Sequence, residues 1–269
     1  MGIGTSATRH LVKLCAAQKL SGRCLTLGRQ SVQVTRPRLE EILDDYGYAA
    51  TLGPRQAAVE QRLAALREQG RDMSFDPDGR ARGYVSDHYL FAALGFDAMH
   101  SVDASAYEGC DVEFDLNRPG LAAATGGGYQ LVVDAGTLEH VFHLPNALAN
   151  IFDALAVGGV ALHHSPTNNY VDHGFYQFSP TLFFDYYAAN GFTVLDHYFV
   201  RHTARDGGNA DAWMLAEYRP GSLAGVSFGG LDAQMYMSVF AVRKEAASTG
   251  TAIPQQGHYR REWARRRGG

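Results

Sequence analysis

A chain of 269 residues is long enough to bury a sizeable core, as one large domain or two small ones. With 46% hydrophobic and 19% charged residues it is ordinary for a globular protein, and a formal charge of -4 gives no reason to expect nucleic acid as a partner. No apolar run approaches the roughly 18 residues needed to span a bilayer, the opening residues do not read as a secretory signal, and three widely spaced cysteines (Cys15, Cys24, Cys110) argue against a disulfide framework or zinc cage and fit a reducing cytoplasm.

Residues 6–20 read as a short helix with Leu11, Leu14 and Cys15 on one face. Residues 23–28 read as a buried first strand that stops at Gly28. Two helical stretches follow, 36–45 and 54–69, the second opened by Pro54 and stopped by Gly70, and then a polar Gly/Pro loop. Residues 31–83 are therefore expected to form a helical insertion or lid, or else a surface helical pair without a role. Ser86 caps a further helix that ends at Gly95. Residues 98–103 form a second strand ending in Asp103, and 111–115 a third ending in Asp115.

The strand 129–134 ends in Asp134 and runs into the small-residue turn Ala135-Gly136-Thr137, with Glu139, His140 and His143 just beyond. A helix with Pro145 near its start is expected to stop at Gly158-Gly159, before a strand from Val160. Ser179-Pro180 starts another helix; residues 192–195 and 235–242 complete the apolar runs. Strands alternating with helices predict an α/β fold with a doubly wound, mostly parallel sheet, as a single domain over 1–245. Residues 246–269, with five arginines against one glutamate at the end, are expected to be a poorly ordered basic tail.

Asp103 is placed to accept two ribose hydroxyls, and equally to cap the turn that begins at Ala104. Asp115 could reach an adenine amino group, although Asp115-Leu116-Asn117 is also a good turn sequence. Gly28 admits a ligand close to backbone, or is a plain turn glycine. His140 is the best-placed base, with His143, His164 and His173 as others, each of which could instead position a loop. Of the adjacent His163 and His164 only one can face a site. Glu139, His140, His143 and His164 include suitable metal-ligand types, but the order EHxxH is not the zinc-protease signature. The aromatic stretch 170–187 offers flat faces for an acceptor, or core packing.

In this order the strand-end residues resemble those of the Rossmann-like S-adenosylmethionine-dependent methyltransferases. The segment VVDAGTLEHVFHLPNALANIFDALAVGGVALHHSPTNN looks like the family pattern of strand, acidic turn, Glu-His-Val, helix, Gly-Gly and strand, and residues 173–180 (HGFYQFSP) resemble a motif of one branch. The resemblance implies that Asp103 and Asp115, with Ala104 and Leu116 beside them, hold the adenosine. It places Gly28, Asp134 and Gly136 around the methionine part, with His140 or His173 as base or acceptor ligand. The implied reaction is cytoplasmic methyl transfer to a small hydroxylated or saccharide-like acceptor. Two alternatives stay open: a non-catalytic binding module on the same fold, and a metal-dependent hydrolase or lyase built on the histidines.

The first strand departs from the family pattern. Leu27-Gly28-Arg29-Gln30-Ser31 has one glycine in place of a Gly-rich loop, and Asp103 follows Gly28 by 75 positions rather than the roughly 20 of dinucleotide folds. Arg29 and Gln30 then become candidates for pairing with the cofactor carboxylate.

Overall fold

The computed structural model describes residues 2–202 and 213–267. In chain order the first half comprises α1 (Thr5–Gln18), β1 (Gly22–Leu27), α2 (Arg36–Asp45), α3 (Tyr48–Leu52), α4 (Gln56–Glu68), α5 (Pro77–Ala81), α6 (Asp87–Ala93), β2 (Phe96–Asp103) and β3 (Val112–Glu113). The second comprises α7 (Leu121–Thr125), β4 (Tyr129–Asp134), α8 (Leu144–Ala154), β5 (Leu155–Asn168), α9 (Pro180–Ala189), β6 (Thr193–His202), β7 (Trp213–Glu217), β8 (Met235–Arg243) and α10 (Gly257–Arg267).

The strands form one sheet in the order β3-β2-β1-β4-β5-β8-β6-β7. β1 pairs parallel with β2 and β4, β2 with β3, and β4 with β5. β8 runs antiparallel between β5 and β6, and β7 antiparallel on the far edge. This is the doubly wound, mostly parallel α/β class, and both faces are covered. Cys24, Leu131, Val133 and Leu162 pack with α1 and α6 on one side, while Leu25, Val132, Ala161 and Phe240 pack with α8 and α9 on the other. Central parallel strands buried on both faces read as continuous apolar runs, which is why β1 and β4 stand out in the sequence.

α2, α3 and α4 lie in the long connection between β1 and β2. Leu39, Ile42, Tyr48 and Val59 are buried in the same cluster as α1 and the sheet. The Tyr48 hydroxyl donates to Leu94 O at 2.9 Å, and Arg62 to Phe96 O at 2.6 Å. This packed apolar surface makes α2, α3 and α4 part of the layer that covers the sheet.

Three elements differ from the sequence expectation. α8 stops at Ala154, and Gly158-Gly159 lies within β5 instead of ending a helix. Gly158 N donates to Lys244 O, Lys244 N donates to Gly159 O, and a Cβ on Gly159 would come within 2.6 Å of Tyr129 O, so the pair marks a close strand approach. β7 was not anticipated: it is an edge strand whose Met214 and Leu215 are exposed, so burial left no alternation to read. Residues 246–256 have no helix or strand but are tied to the domain by hydrogen bonds. Asn190 Oδ1 accepts from Thr249 Oγ1 and Ala252 N, Ser248 Oγ donates to Gly191 O, and α10 follows, with Gly257 N donating to Asp185. Residues 268–269 lie outside the described residues. Among the described residues no helix is long and apolar enough to cross a membrane.

Candidate active site

β1, β2, β3 and β4 end side by side, and a cleft of about 370 Å³ opens beyond their carboxyl ends. This is where the connections from β1 and β4 depart in opposite directions along the sheet, the position at which open α/β sheets place ligands. Gly28, Asp103, Ala104, Asp115, Leu116, Gly136 and His140 all line it. Gly28 has φ +73°, and a Cβ there would meet Thr137 Oγ1 at 3.1 Å and Asp103 Oδ2 at 3.8 Å. The glycine therefore keeps the space beside the Asp103 carboxylate open. That carboxylate accepts from Ser105 N at a long 3.4 Å. Asp115 Oδ1 accepts from Asn117 N and Nδ2 at 2.9 and 2.8 Å, bonds that hold its carboxyl below the usual range. Asp115 is thus both the turn residue and a wall of the cleft.

Asp134 does not line the cleft. It is fully buried and turned back into its own loop, accepting from Thr137 N at 3.0 Å and Leu138 N at 3.1 Å through Oδ1. Its Oδ2 lies 2.9 Å from His163 Nδ1 and 3.3 Å from Ser165 Oγ, and His163 Nε2 lies 2.6 Å from the buried Tyr187 hydroxyl. Burial pushes that hydroxyl's pKa up, so it remains a donor. The ring then accepts at Nε2 and donates from Nδ1 to Asp134.

Arg29 and Gln30 line the cleft but are committed elsewhere. The Arg29 guanidinium makes two bonds to the buried Asp87, at 2.8 and 2.9 Å, and one to Gly109 O at 2.7 Å. Gln30 Nε2 donates to Leu27 O at 2.8 Å. Most of the donors of both residues are thus taken within the protein. Sequence reasoning also passed over Glu108, Phe114, Asn117, Thr137 and Val141, which complete the walls. Thr137 carried a signal, since the hydroxyl of a turn next to a strand end can lock neighbouring loops. Its Oγ1 donates to Leu27 O at 2.5 Å, joining the ends of β1 and β4.

The histidines separate into distinct settings. His163 belongs to the Asp134 network. His164 is buried on the opposite face beside His10 and Trp213, and His143 Nδ1 accepts from Asn146 N at 3.4 Å to cap α8. None of the three lines the Asp103 cleft or faces it directly. His173 is off the cleft wall but against His140, ring centroids 5.0 Å apart.

The side chain that joins these two is Glu139, in the turn Leu138–His140. It is fully buried, with Oε1 3.5 Å from His173 Nε2 and 4.0 Å from His140 Nε2. Burial, and then the nearby Asp134, push its carboxyl up to about 8, while burial lowers both imidazoles. Backbone holds the two segments together: Phe175 N and Tyr176 N both donate to Glu139 O, at 2.8 and 3.2 Å. Gly174 permits the approach, since a Cβ there would lie 2.8 Å from Glu139 O and 3.1 Å from Glu139 Cγ. Gly174→Ala is expected to cost about 1–3 kcal/mol by forcing these backbones apart, read as a lowered urea midpoint at unchanged slope.

The aromatic stretch is mostly structural. Phe183, Tyr186 and Tyr187 are core, and the Tyr176 hydroxyl donates to Phe142 O at 2.7 Å. No residue of 170–187 lines the Asp103 cleft. Gln177 lies instead on a larger groove of about 790 Å³ between α9, Tyr218 and the loop around Leu223. Of the strand carboxyl ends that groove takes in Thr167 and Asn168 of β5 and none of β1 to β4, so the smaller cleft, where four strands end at the switch point, is the better candidate site despite its size.

No known protein-family profile matches the chain, and no curated protein matches it. Among solved structures it is similar to TehB from Haemophilus influenzae at 15% identity, with a TM-score of 0.38, covering 59% of this chain. The chain spans 53% of TehB. It is also similar to an S-adenosylmethionine-dependent methyltransferase from Archaeoglobus fulgidus, at 10% identity and a TM-score of 0.41, over 89% of this chain and 94% of that one. Another from Clostridium acetobutylicum ATCC 824 gives 9% identity and a TM-score of 0.35, over 89% and 91%. At such values the fold class rests on the strand order of this sheet and not on the superpositions.

Proposed function

We propose that this chain is an S-adenosylmethionine-dependent methyltransferase acting on a small hydroxylated or saccharide-like acceptor. One observation carries the reading: the acids after β2 and β3 meet Gly28 and Gly136 around a single cleft at the switch point of the sheet. The residues fit the nucleoside end of the cofactor. Asp103 accepts the ribose hydroxyls through a carboxylate that the protein itself engages only with a long bond. Ala104 lies beside it, Asp115 faces the base edge, and Leu116 with Phe114 and Val141 supplies apolar surface for the ring. Gly28 and Gly136 leave room for the amino-acid end. When bound, the cofactor supplies an electrophilic methyl group on a sulfonium. The chain aligns the acceptor and excludes water, and His140, backed by His173, orients the acceptor hydroxyl and takes its proton.

Calorimetric titration of the purified chain with S-adenosylmethionine and with its demethylated product tests this, each expected to bind at one site. No heat at high micromolar ligand overturns the reading. A second reading, a binding module without catalysis, is favoured by the internal commitment of Arg29 and Gln30. Labelled cofactor that binds but passes no methyl group to any acceptor in a metabolite pool would select it.

A further inference from the structure

We infer that Glu139, His140 and His173 form a binding site for one divalent first-row transition-metal ion at the edge of the cleft. The carboxylate, the two imidazoles and their spacing carry this together. One ligand atom from each of the three lies within 4.8 Å of the other two. Glu139 is fully buried, and neither of its oxygens, nor Nε2 of His173, has a hydrogen-bond partner. A buried carboxylate without donors costs several kcal/mol unless a positive charge or a proton satisfies it.

A proton alone does not account for the geometry. A protonated carboxyl donating to an imidazole would close to roughly 2.5–3.0 Å, whereas the Glu139–His173 separation is 3.5 Å. Two donors that share a tetrahedral zinc-class ion at about 2.1 Å each stand roughly 3.4 Å apart. The 3.5 and 4.0 Å separations from Glu139 Oε1 are thus too long for hydrogen bonds and close to those expected of ligands to a common ion.

Two imidazoles and one carboxylate suit zinc, cobalt, manganese or iron better than magnesium, which prefers oxygen and keeps its waters. Three protein ligands leave at least one position open, as in catalytic rather than structural sites. His140 lines the cleft, so the open position is available to an oxygen ligand arriving there. This deepens the proposed function, and rests on it only for the identity of that oxygen, the acceptor hydroxyl: with an ion bound, His140 would serve as ligand in place of base, and the ion would acidify the hydroxyl so that its proton leaves to solvent water.

The test uses the whole chain, purified without a histidine tag, stripped with a chelator, and titrated with Zn²⁺, Co²⁺ or Mg²⁺ by calorimetry. One Zn²⁺ or Co²⁺ per chain is expected, with Co²⁺ giving visible ligand-field absorption and Mg²⁺ failing to compete. Glu139→Gln and His173→Ala are each expected to weaken Zn²⁺ at least ~10-fold, and His143→Ala to leave it unchanged. No stoichiometric Zn²⁺ or Co²⁺ uptake by the wild type, which needs no variant to fold, overturns the inference. So does undiminished uptake by a folded His140→Ala/His173→Ala chain. A wild type that binds S-adenosylmethionine but takes up no metal overturns this inference alone. One that binds metal but no cofactor overturns the proposed function and leaves the metal site standing.

Discussion

Asp134→Ala is expected to lose about 3–5 kcal/mol of folding stability, because it leaves several buried donors without their acceptor at about 1–3 kcal/mol each. The loss follows from four partners held at once: two amides at the end of β4, the His163 ring and the Ser165 hydroxyl. Against a typical total of about 5–15 kcal/mol, such a loss is a large fraction of what holds the domain together. Urea unfolding followed by circular dichroism measures it directly. Asp134→Asn should recover part, because an amide oxygen still accepts from Thr137 and Leu138. An alanine variant within about 1 kcal/mol of wild type would mean that the loop and His163 find other partners.

Asp103→Ala has the opposite profile. On the proposed reading it removes two charge-assisted bonds to the ribose, each worth about 1.5–3 kcal/mol. S-adenosylmethionine affinity is therefore expected to fall by roughly 10²–10⁴-fold. Folding stability should shift by no more than about 0.5 kcal/mol, since the carboxylate's bond to Ser105 N is long and exposed. Calorimetry and urea unfolding on the same preparation separate the two effects. Unchanged cofactor affinity in Asp103→Ala would show that the cleft does not hold the nucleoside there.

Those two aspartates mark how far the sequence could be read. Each ends a parallel strand and each was assigned to the ligand. A strand-end acid brings its side chain to the rim, but its direction depends on the next residues. After Asp134 the turn presents the amides of Thr137 and Leu138, which draw the carboxylate inward, while Asp103 is left facing the cleft. The α/β alternation, Asp115, Gly28 and Gly136 were legible because burial and strand ends impose local patterns. The contact between Glu139 and His173 was not, because the residues are 34 positions apart and only the Gly174 approach brings them together. Gly158-Gly159 was misread for a related reason. A glycine pair after a helix and one at a tight strand crossing look alike without the partner strand.

The placement of β8 bears on how the protein is made. Residues 235–243 separate β5 from β6, although both are translated earlier. During synthesis β5 and β6 each keep a bare edge of peptide groups until this late strand emerges. A message truncated shortly before residue 235 would therefore encode a product with its sheet divided in two. Such a nascent chain offers templates for intermolecular pairing and depends on chaperones and proteases for its fate.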